Sequence, residues 1–266
     1  MNKPIVTVAC TTYNHEKYIE QTIRGFLIQK TTFPIEIIIH DDASIDSTPN
    51  IITKYAEKYP KLIIPIFQEE NQYSKGNKPW SNFVFPEAKG KYIAICEGDD
   101  YWTDPLKLQR QVDFLEANES FSLVCTNVEI VNNHDIVQRK RFQFKNNFEI
   151  NLNYLLKNNH ITTCSALFVT ERLNLKEWPK INFLDKYVWI SLLQNGSCLY
   201  MNNITARYRM HDSGIYSGLK EYSKSIKRIE DYKFYRKVFP EYANIFSKKI
   251  LKNLIFGLVS SIKRGK

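Results

Sequence analysis

Apolar and polar positions alternate in blocks along the first hundred residues. Ile5, Val6 and Val8 open a β-rich run that ends in the polar stretch Thr11-Thr12-Tyr13-Asn14-His15. An amphipathic helix of about 14 residues is expected from Glu16. Phe33–His40 reads as a second strand. Its Ile35, Ile37, Ile38 and Ile39 suggest burial on both faces, the habit of a parallel sheet. The following Asp41-Asp42-Ala43-Ser44-Ile45-Asp46-Ser47-Thr48 offers Asp46 or Ser47 as a helix cap, with Pro49 in the first turn. Leu62–Phe67 is a third strand, and Pro65 argues for an edge or bent position. After a polar loop over 69–79, a short helix near Trp80–Ala88 leads to the apolar run Tyr92-Ile93-Ala94-Ile95-Cys96. That run turns abruptly acidic at Glu97-Gly98-Asp99-Asp100. A helix start follows, with Asp104 as its N-cap and Pro105 at its first position. The order β-α-β-α-β-α-β predicts a parallel, doubly wound sheet.

The second half continues the pattern. Pro105–Asn118 is a helix with Leu106, Leu108, Val112 and Leu115 on one face. Phe121–Val131 is a long strand, and Asn132–His134 a turn. The basic, aromatic segment to Phe148 reads as a β excursion with one wet face. Such interleaving also suits nucleic acid, but no nucleic-acid signature accompanies it, and no nucleic-acid partner is expected. A short helix over Ile150–Asn158 and a strand over Ile161–Val169 come next. A helix then starts near Asp185, carries Val188, Trp189 and Leu192 inward, and is expected to end in a Gly196 C-cap. Ser197–Ile204 is a further strand. Residues 219–262 read as two helices, Leu219–Val238 and Glu241–Ile262, broken at Pro240. Tyr222, Ile226, Ile229, Tyr232 and Tyr235 recur at helical spacing in the first.

Composition narrows the class. A chain of 266 residues with 43% hydrophobic content can bury a substantial core. No stretch of about 18 uncharged apolar residues exists, so no transmembrane helix is expected. The start, Met1-Asn2-Lys3-Pro4, lacks the apolar region of a signal peptide. Cys10, Cys96, Cys125, Cys164 and Cys198 are widely spaced, the pattern of buried free thiols in a reducing compartment. The expected location is the cytoplasm, with the inner face of the membrane as a second possibility. The net charge of +9 is localised: residues 220–266 hold 13 Lys/Arg against 4 Asp/Glu, and the rest is balanced. A neutral body with a basic tail is therefore expected. The tail helices would pack on the body or on a second copy of the chain, or lie on an anionic membrane with Lys248, Lys249, Lys252, Lys263 and Arg264 toward headgroups.

The acidic turn after Cys96 is the strongest chemical signal. Ligands of open α/β sheets collect at the carboxyl ends of strands. Carboxylates clustered there repel, and a hard divalent cation, Mg²⁺ or Mn²⁺, relieves the repulsion and bridges to phosphates. The competing reading is a solvated acidic turn that caps the next helix.

Three segments carry a family resemblance: Pro4-Ile-Val-Thr-Val-Ala-Cys-Thr-Thr-Tyr-Asn14, Ile38-Ile-His-Asp-Asp-Ala-Ser-Ile-Asp-Ser-Thr48 and Gly90-Lys-Tyr-Ile-Ala-Ile-Cys-Glu-Gly-Asp-Asp-Tyr-Trp102. In order and interval they resemble the signature segments of family 2 glycosyltransferases. The resemblance spans residues 3–216 and implies a GT-A fold, an α/β architecture with a mixed, mostly parallel sheet flanked by helices. Residues 1–218 would form this domain, with a nucleotide-sugar half at 1–104 and an acceptor half at 105–218. Residues 219–266 would be a basic helical extension.

By the resemblance, Thr11, Tyr13 and Asn14 line the nucleoside site, with Tyr13 stacked on the base. Asp42 accepts from a uracil-like N–H, with Asp41 beside it. Asp99 approaches the ribose or metal, and Asp100 holds Mn²⁺ or Mg²⁺ against the diphosphate. Glu97 stands where many members have Asp, and its side chain would still reach the nucleotide. Asn182–Gly196 is similar to the acceptor-side segment, in which an Asp before a Trp-bearing helix is the general base. That makes Asp185 the expected base of an inverting transfer. Ala206–Gly214 looks like the family's Tyr-Arg-x-His-x-x-Gly segment. It makes His211 a ligand on the diphosphate side and Arg209 structural or phosphate-neutralising, with a lid over Gly214–Gly218. The implied partners are a nucleotide-diphosphate sugar, UDP for preference, and a glycan or lipid-linked glycan acceptor of bacterial surface polysaccharide. The rivals are a nucleotidyltransferase, which would need a Gly-rich phosphate loop that Thr11–Lys17 lacks, and a non-catalytic adaptor acting through residues 220–266.

Overall fold

The computed structural model describes residues 3–173, 178–211, 214 and 218–262, with side chains to residue 256. The lid expected over 214–218 falls mostly outside these residues, as do Lys263 and Arg264. The elements in chain order are β1 (Val6–Thr12), α1 (Ile19–Leu27), β2 (Ile35–Asp41), α2 (Thr48–Lys58), β3 (Ile63–Phe67), β4 (Tyr92–Glu97), β5 (Tyr101–Trp102) and α3 (Lys107–Ala117). Then come β6 (Phe121–Val131), β7 (Val137–Lys140), β8 (Phe148–Ile150), α4 (Leu152–Lys157), β9 (Leu167–Val169), α5 (Leu184–Leu193), β10 (Ser197–Arg209), α6 (Glu221–Val238) and α7 (Ala243–Ile262).

Among the described residues the strands form one sheet of order β3-β2-β1-β4-β9-β6-β10-β5, with β7 beside β6 and β8 beside β10. β3, β2, β1 and β4 run parallel. β9 is antiparallel to both β4 and β6 and joins this half to the parallel pair β6–β10. The sheet is therefore mixed. Pro65 sits in β3 at the sheet edge, where its missing N–H costs no ladder bond.

Strand alternation splits the core in two. Val8 and Cys10 of β1 and Tyr92, Ala94 and Cys96 of β4 face α1, α2 and α3. Ala9, Ile93 and Ile95 face the other side, where α4, α5, Tyr235 of α6 and Phe246 of α7 pack. Both faces are covered, as isoleucine-rich parallel strands require. The tail helices thus pack on the body. The inner face of α6 differs from the aromatic spacing, however: Lys224, Ser225, Asp231 and Tyr235 turn inward, while Tyr222 and Ile226 are exposed.

Several boundaries moved. α1 begins at Ile19 because the amides of Tyr18 and Ile19 first turn back onto the His15 carbonyl. α3 begins at Lys107. Asp104 still serves its start, accepting from the Leu106 amide, but Pro105 precedes the helix. The region near Trp80 forms a π turn and a 3₁₀ turn in place of an α-helix. Thr163–Ser165 forms a 3₁₀ turn, so only Leu167–Val169 of the expected longer strand pairs. α5 closes at Gln194 in right-handed conformation, and Gly196 is not a left-handed cap.

Gly25 of α1 lies against β5. A Cβ there would stand 2.8 Å from both the amide nitrogen and the carbonyl oxygen of Trp102, backbone atoms that cannot swing away. Gly25→Ala should therefore cost about 1–3 kcal/mol and lower the urea midpoint at unchanged m-value.

Candidate active site

Register places the polar strand ends together. Thr12 is level with Asp41, and Thr11 with Glu97, so the carboxyl ends of β1, β2 and β4 form one rim. Beyond β1 the chain turns through Asn14, whose φ is 54°. The Asn14 backbone amide donates to Ser44 Oγ at 2.8 Å, and the Asn14 Oδ1 receives the Ile45 amide at 2.9 Å. Asp41 fixes the same loop: its carboxylate receives the Ser44 amide at 3.0 Å and the Ser44 hydroxyl at 2.5 Å. Asp42 receives the amides of Gln72 and Tyr73 at 2.8 and 3.0 Å, pinning the 69–79 loop across the rim. Tyr13 stands at the mouth, 40% exposed. Asp46, not Ser47, supplies the cap of α2, accepting from the Thr48 amide at 2.9 Å.

The acidic turn lies beside this loop. The Gly98 amide donates to the Thr11 carbonyl at 2.9 Å, which folds the turn onto the end of β1. A Cβ on Gly98 would come within 2.6 Å of Thr12 Oγ1 and 3.0 Å of His15 Nδ1, so only glycine permits this approach. It brings Asp99 Oδ2 to 2.9 Å from His211 Nε2 and 3.9 Å from His15 Nε2. Ligand atoms of His15, Asp99 and His211 all lie within 4.8 Å of one another. Tyr18 packs against both imidazoles, 6.2 Å from His15 and 5.1 Å from His211 between ring centroids.

Asp100 takes a different place. It is buried, and its Oδ1 receives the Arg209 amide at 2.8 Å. The Arg209 guanidinium donates to the Asp99 carbonyl at 2.9 Å and to Gln21 at 2.7 Å, and it pairs with Asp135 at 2.7 Å. Arg209 is thus a structural clamp between α1, the acidic turn and the β6–β7 turn. Beneath the turn, Trp102 donates to the Cys164 carbonyl at 2.7 Å. The structure unites Asp99 with His211, and leaves Asp100 outside that group. His15 and Tyr18 are additions that the sequence reading did not select. The available signal for His15 was a histidine in the polar stretch directly after the first strand.

The electrostatics follow burial. Burial pushes Glu97 well above the ordinary carboxylate range, and the charges of Asp100 and Asp99 add to it. Glu97 Oε2 is buried without a hydrogen-bond partner. Asp100 is also raised, by burial and then by Asp99. For Asp99 burial acts upward, but the His211 hydrogen bond and the facing His15 outweigh it and hold the carboxylate low. Burial lowers His15 despite the nearby Asp99, which favours the neutral, ligating imidazole.

Asp185 occupies the first turn of α5, close enough that its charge also raises Glu97. Burial raises Asp185 itself. The start of α5 has no side-chain cap of its own. Asp231 of α6 supplies one from elsewhere in the chain: its carboxylate receives the amides of Asn182 and Phe183 at 2.8 and 3.0 Å. The inward polar face of α6 is therefore what fixes the helix that carries Asp185.

His15, Asp99 and His211 form a mixed imidazole–carboxylate donor set that fits a divalent cation. Nitrogen donors suit Mn²⁺ better than Mg²⁺, which prefers oxygen.

The family model described as "Glycosyl transferase family 2" matches residues 7–174. The chain belongs to this family. The match covers the rim and the acidic turn and stops before Asp185 and His211. An Escherichia coli protein named UDP-Glc:alpha-D-GlcNAc-diphosphoundecaprenol beta-1,3-glucosyltransferase WfgD is 30% identical over 219 residues, 82% of this chain and 81% of its own. A Bacillus subtilis protein named putative teichuronic acid biosynthesis glycosyltransferase TuaG is 31% identical over 218 residues, 81% of this chain and 82% of its own. An uncharacterised Mycobacterium tuberculosis protein is 33% identical over 211 residues, 79% of this chain, and the match spans 60% of that relative's length. Among solved structures, S. aureus TarS 1-349 in complex with UDP-GlcNAc superposes with a TM-score of 0.69 at 19% identity, over 94% of this chain and 71% of that one. The mannosyltransferase PcManGT from Pyrobaculum calidifontis, in complex with GDP-Man and Mn2+, gives 0.68 at 17% identity, over 98% of this chain and 74% of that one. The family 2 chain therefore has the GT-A fold, with the helical C-terminal extension in place.

The rim also stores strain. Ala43 has a φ of 61°, where an L side chain is disfavoured by roughly 1–2 kcal/mol. Ala43→Gly should stabilise the protein by about 1 kcal/mol, read as a raised thermal midpoint.

Proposed function

We propose that this family 2 protein is an inverting glycosyltransferase. It would move a sugar from a nucleoside-diphosphate donor, UDP for preference, to a hydroxyl of a surface-polysaccharide precursor. The observation that carries the reading is the convergence of Glu97, Asp99, His15 and His211 at the carboxyl edge of the parallel strands, with the base candidate Asp185 beside them. Thr11, Tyr13 and Asn14 offer a nucleoside rim. Asp42 retains acceptor capacity beyond its two loop amides, which suits a base N–H, and Asp41 holds the loop that presents it. The orphaned Oε2 of buried Glu97 suits a donor hydroxyl.

In the reaction, Asp185 takes the proton of the acceptor hydroxyl as that oxygen attacks the anomeric carbon from the face opposite the leaving group. The bond from the anomeric carbon to the diphosphate oxygen breaks, and its electron pair leaves with the nucleoside diphosphate. Burial makes Asp185 a stronger base than an ordinary carboxylate. A divalent cation on His15, Asp99 and His211 would supply neutralisation of the leaving diphosphate. Asp100 serves by holding the Arg209 backbone, so its contribution is to set His211 two residues on.

The name of the E. coli relative supports an acceptor borne on a polyprenyl diphosphate. No helix among the described residues is long and apolar enough to cross a membrane. A chain acting on such an acceptor would reach it peripherally, at the inner face. The exposed Leu251, Leu254, Ile255 and Phe256 of α7 support that contact.

UDP with Mn²⁺ should raise the thermal midpoint, by an amount equivalent to about 2.7 kcal/mol at 100 times its dissociation constant. Asp99→Asn and His211→Ala should remove the metal-dependent part, and a full shift in either variant would refute the site. Asp185→Asn should keep the UDP shift and lower kcat by about 10²–10⁴. The acid limb of kcat should lie above the ordinary carboxylate range, because only ionised Asp185 accepts the proton, and the variant should lack that limb.

A further inference from the structure

A groove of about 290 Å³ runs between α6 and α7, away from the acidic turn. Arg228, Tyr232, Lys249, Lys252, Asn253 and Phe256 line it, with Glu221 at its edge. Glu221 is bound to Lys224 at 2.7 Å. Arg228 and Tyr232 also wall a smaller cavity of about 30 Å³ that reaches Lys186 and Tyr235. Lys186 is 9% exposed, and its ammonium lies 5.0 Å from the Tyr232 ring centre. The buried Tyr235 hydroxyl lining that cavity has no hydrogen-bond partner among the described residues. The acid here, Asp231, already receives the amides of Asn182 and Phe183 just before α5.

Lys186, Arg228, Lys249 and Lys252 thus line two adjoining cavities that share Arg228 and Tyr232, with Glu221, Asp231 and, beside Lys186, Asp185 as the nearby acids. They strain one another: burial, Lys249 and Arg228 bring Lys186 down to about 7, against the pull of Asp185, and burial and Lys252 lower Lys249. A multivalent anion in the groove would relieve that mutual repulsion. Its inner end, Lys186, adjoins Asp185 in sequence. At its outer end Phe256 both lines the groove and joins the exposed apolar stripe of Leu251, Leu254 and Ile255. Charge lies inside and an apolar track lies outside, the order of groups in a glycan–diphosphate–lipid molecule.

We propose that the α6–α7 groove binds the diphosphate of a polyprenyl-diphosphate-linked acceptor through Lys186, Arg228, Lys249 and Lys252, with the lipid chain along Leu251, Leu254, Ile255 and Phe256. The site rests on the acceptor reading given above. It gives the basic tail a role in acceptor selection and orients the glycan toward Asp185.

The test uses the full chain in EDTA, titrated with farnesyl diphosphate, inorganic diphosphate, farnesol and phosphatidylglycerol vesicles. Wild type should bind farnesyl diphosphate more tightly than either inorganic diphosphate or farnesol. Lys249→Glu/Lys252→Glu should weaken that binding about tenfold or more and leave the UDP–Mn²⁺ thermal shift intact, which also shows the variant is folded. Lys252→Glu alone, at an exposed position, should give a smaller loss in the same direction. Asp99→Asn should do the opposite, losing the metal-dependent part of the UDP shift and keeping farnesyl diphosphate. Absent or variant-insensitive farnesyl diphosphate binding overturns the groove, and a persisting UDP shift then leaves the glycosyltransferase reading standing. Equal affinity for inorganic diphosphate removes the lipid and overturns the proposal. Loss of vesicle binding alone in the variants overturns it in favour of a headgroup surface.

Discussion

Three carboxylates fall within four residues at the end of β4, and two of them, Glu97 and Asp100, are pushed well above the ordinary range by burial first, with the charges of Asp100 and Asp99 adding to it at Glu97 and that of Asp99 at Asp100. Bringing such charges out of water is costly unless partners arrive with them. The partners come from distant chain: His15 from the turn after β1, and the Arg209 backbone and His211 from the end of β10. β10 must therefore run its full length, through register shifts against β6, to deliver them. Gly25 and Gly98 exist to let backbone approach this turn. The charge cluster explains more of the architecture than any single apolar contact does.

The two halves of the sheet meet at the same place. Four parallel strands present the rim that suits a nucleotide, and β9 splices in the β6–β10 pair that carries the histidine. Asp185, the base candidate, sits in the first turn of α5, and the two residues before that helix, Asn182 and Phe183, are held by Asp231. The C-terminal helices are thus coupled to the start of α5 through the hydrogen bonds of Asn182 and Phe183 to α6, while Tyr235 and Phe246 bury them in the shared core. A change in α6 can therefore be felt at Asp185 without touching it.

Much of this was readable in advance. Isoleucine-rich strands ending in polar residues gave the parallel half, and Pro65 marked its edge. The acidic turn identified where chemistry collects. Other features were hidden for definite reasons. The short strand at Leu167 was masked by small residues that fold as a 3₁₀ turn first. The inner face of α6 follows its aromatic spacing only at Tyr232 and Tyr235, because Asp231 and Lys224 also turn inward, the first to hold the residues before α5 and the second to pair with Glu221.

The sequence by itself determined the element order, the placement of the rim residues at strand ends and the segregation of positive charge into the tail, because each depends on local periodicity or composition. Only the tertiary structure decided which acids share a neighbour. Asp99 and Asp100 are adjacent in sequence, yet successive residues in a tight turn point apart, and one meets two histidines while the other meets the Arg209 amide. Likewise no local signal links Asp231 to Asn182 or Lys186 to Lys249. Those pairings are set by how α5, α6 and α7 stack, a long-range packing outcome that no window of sequence contains.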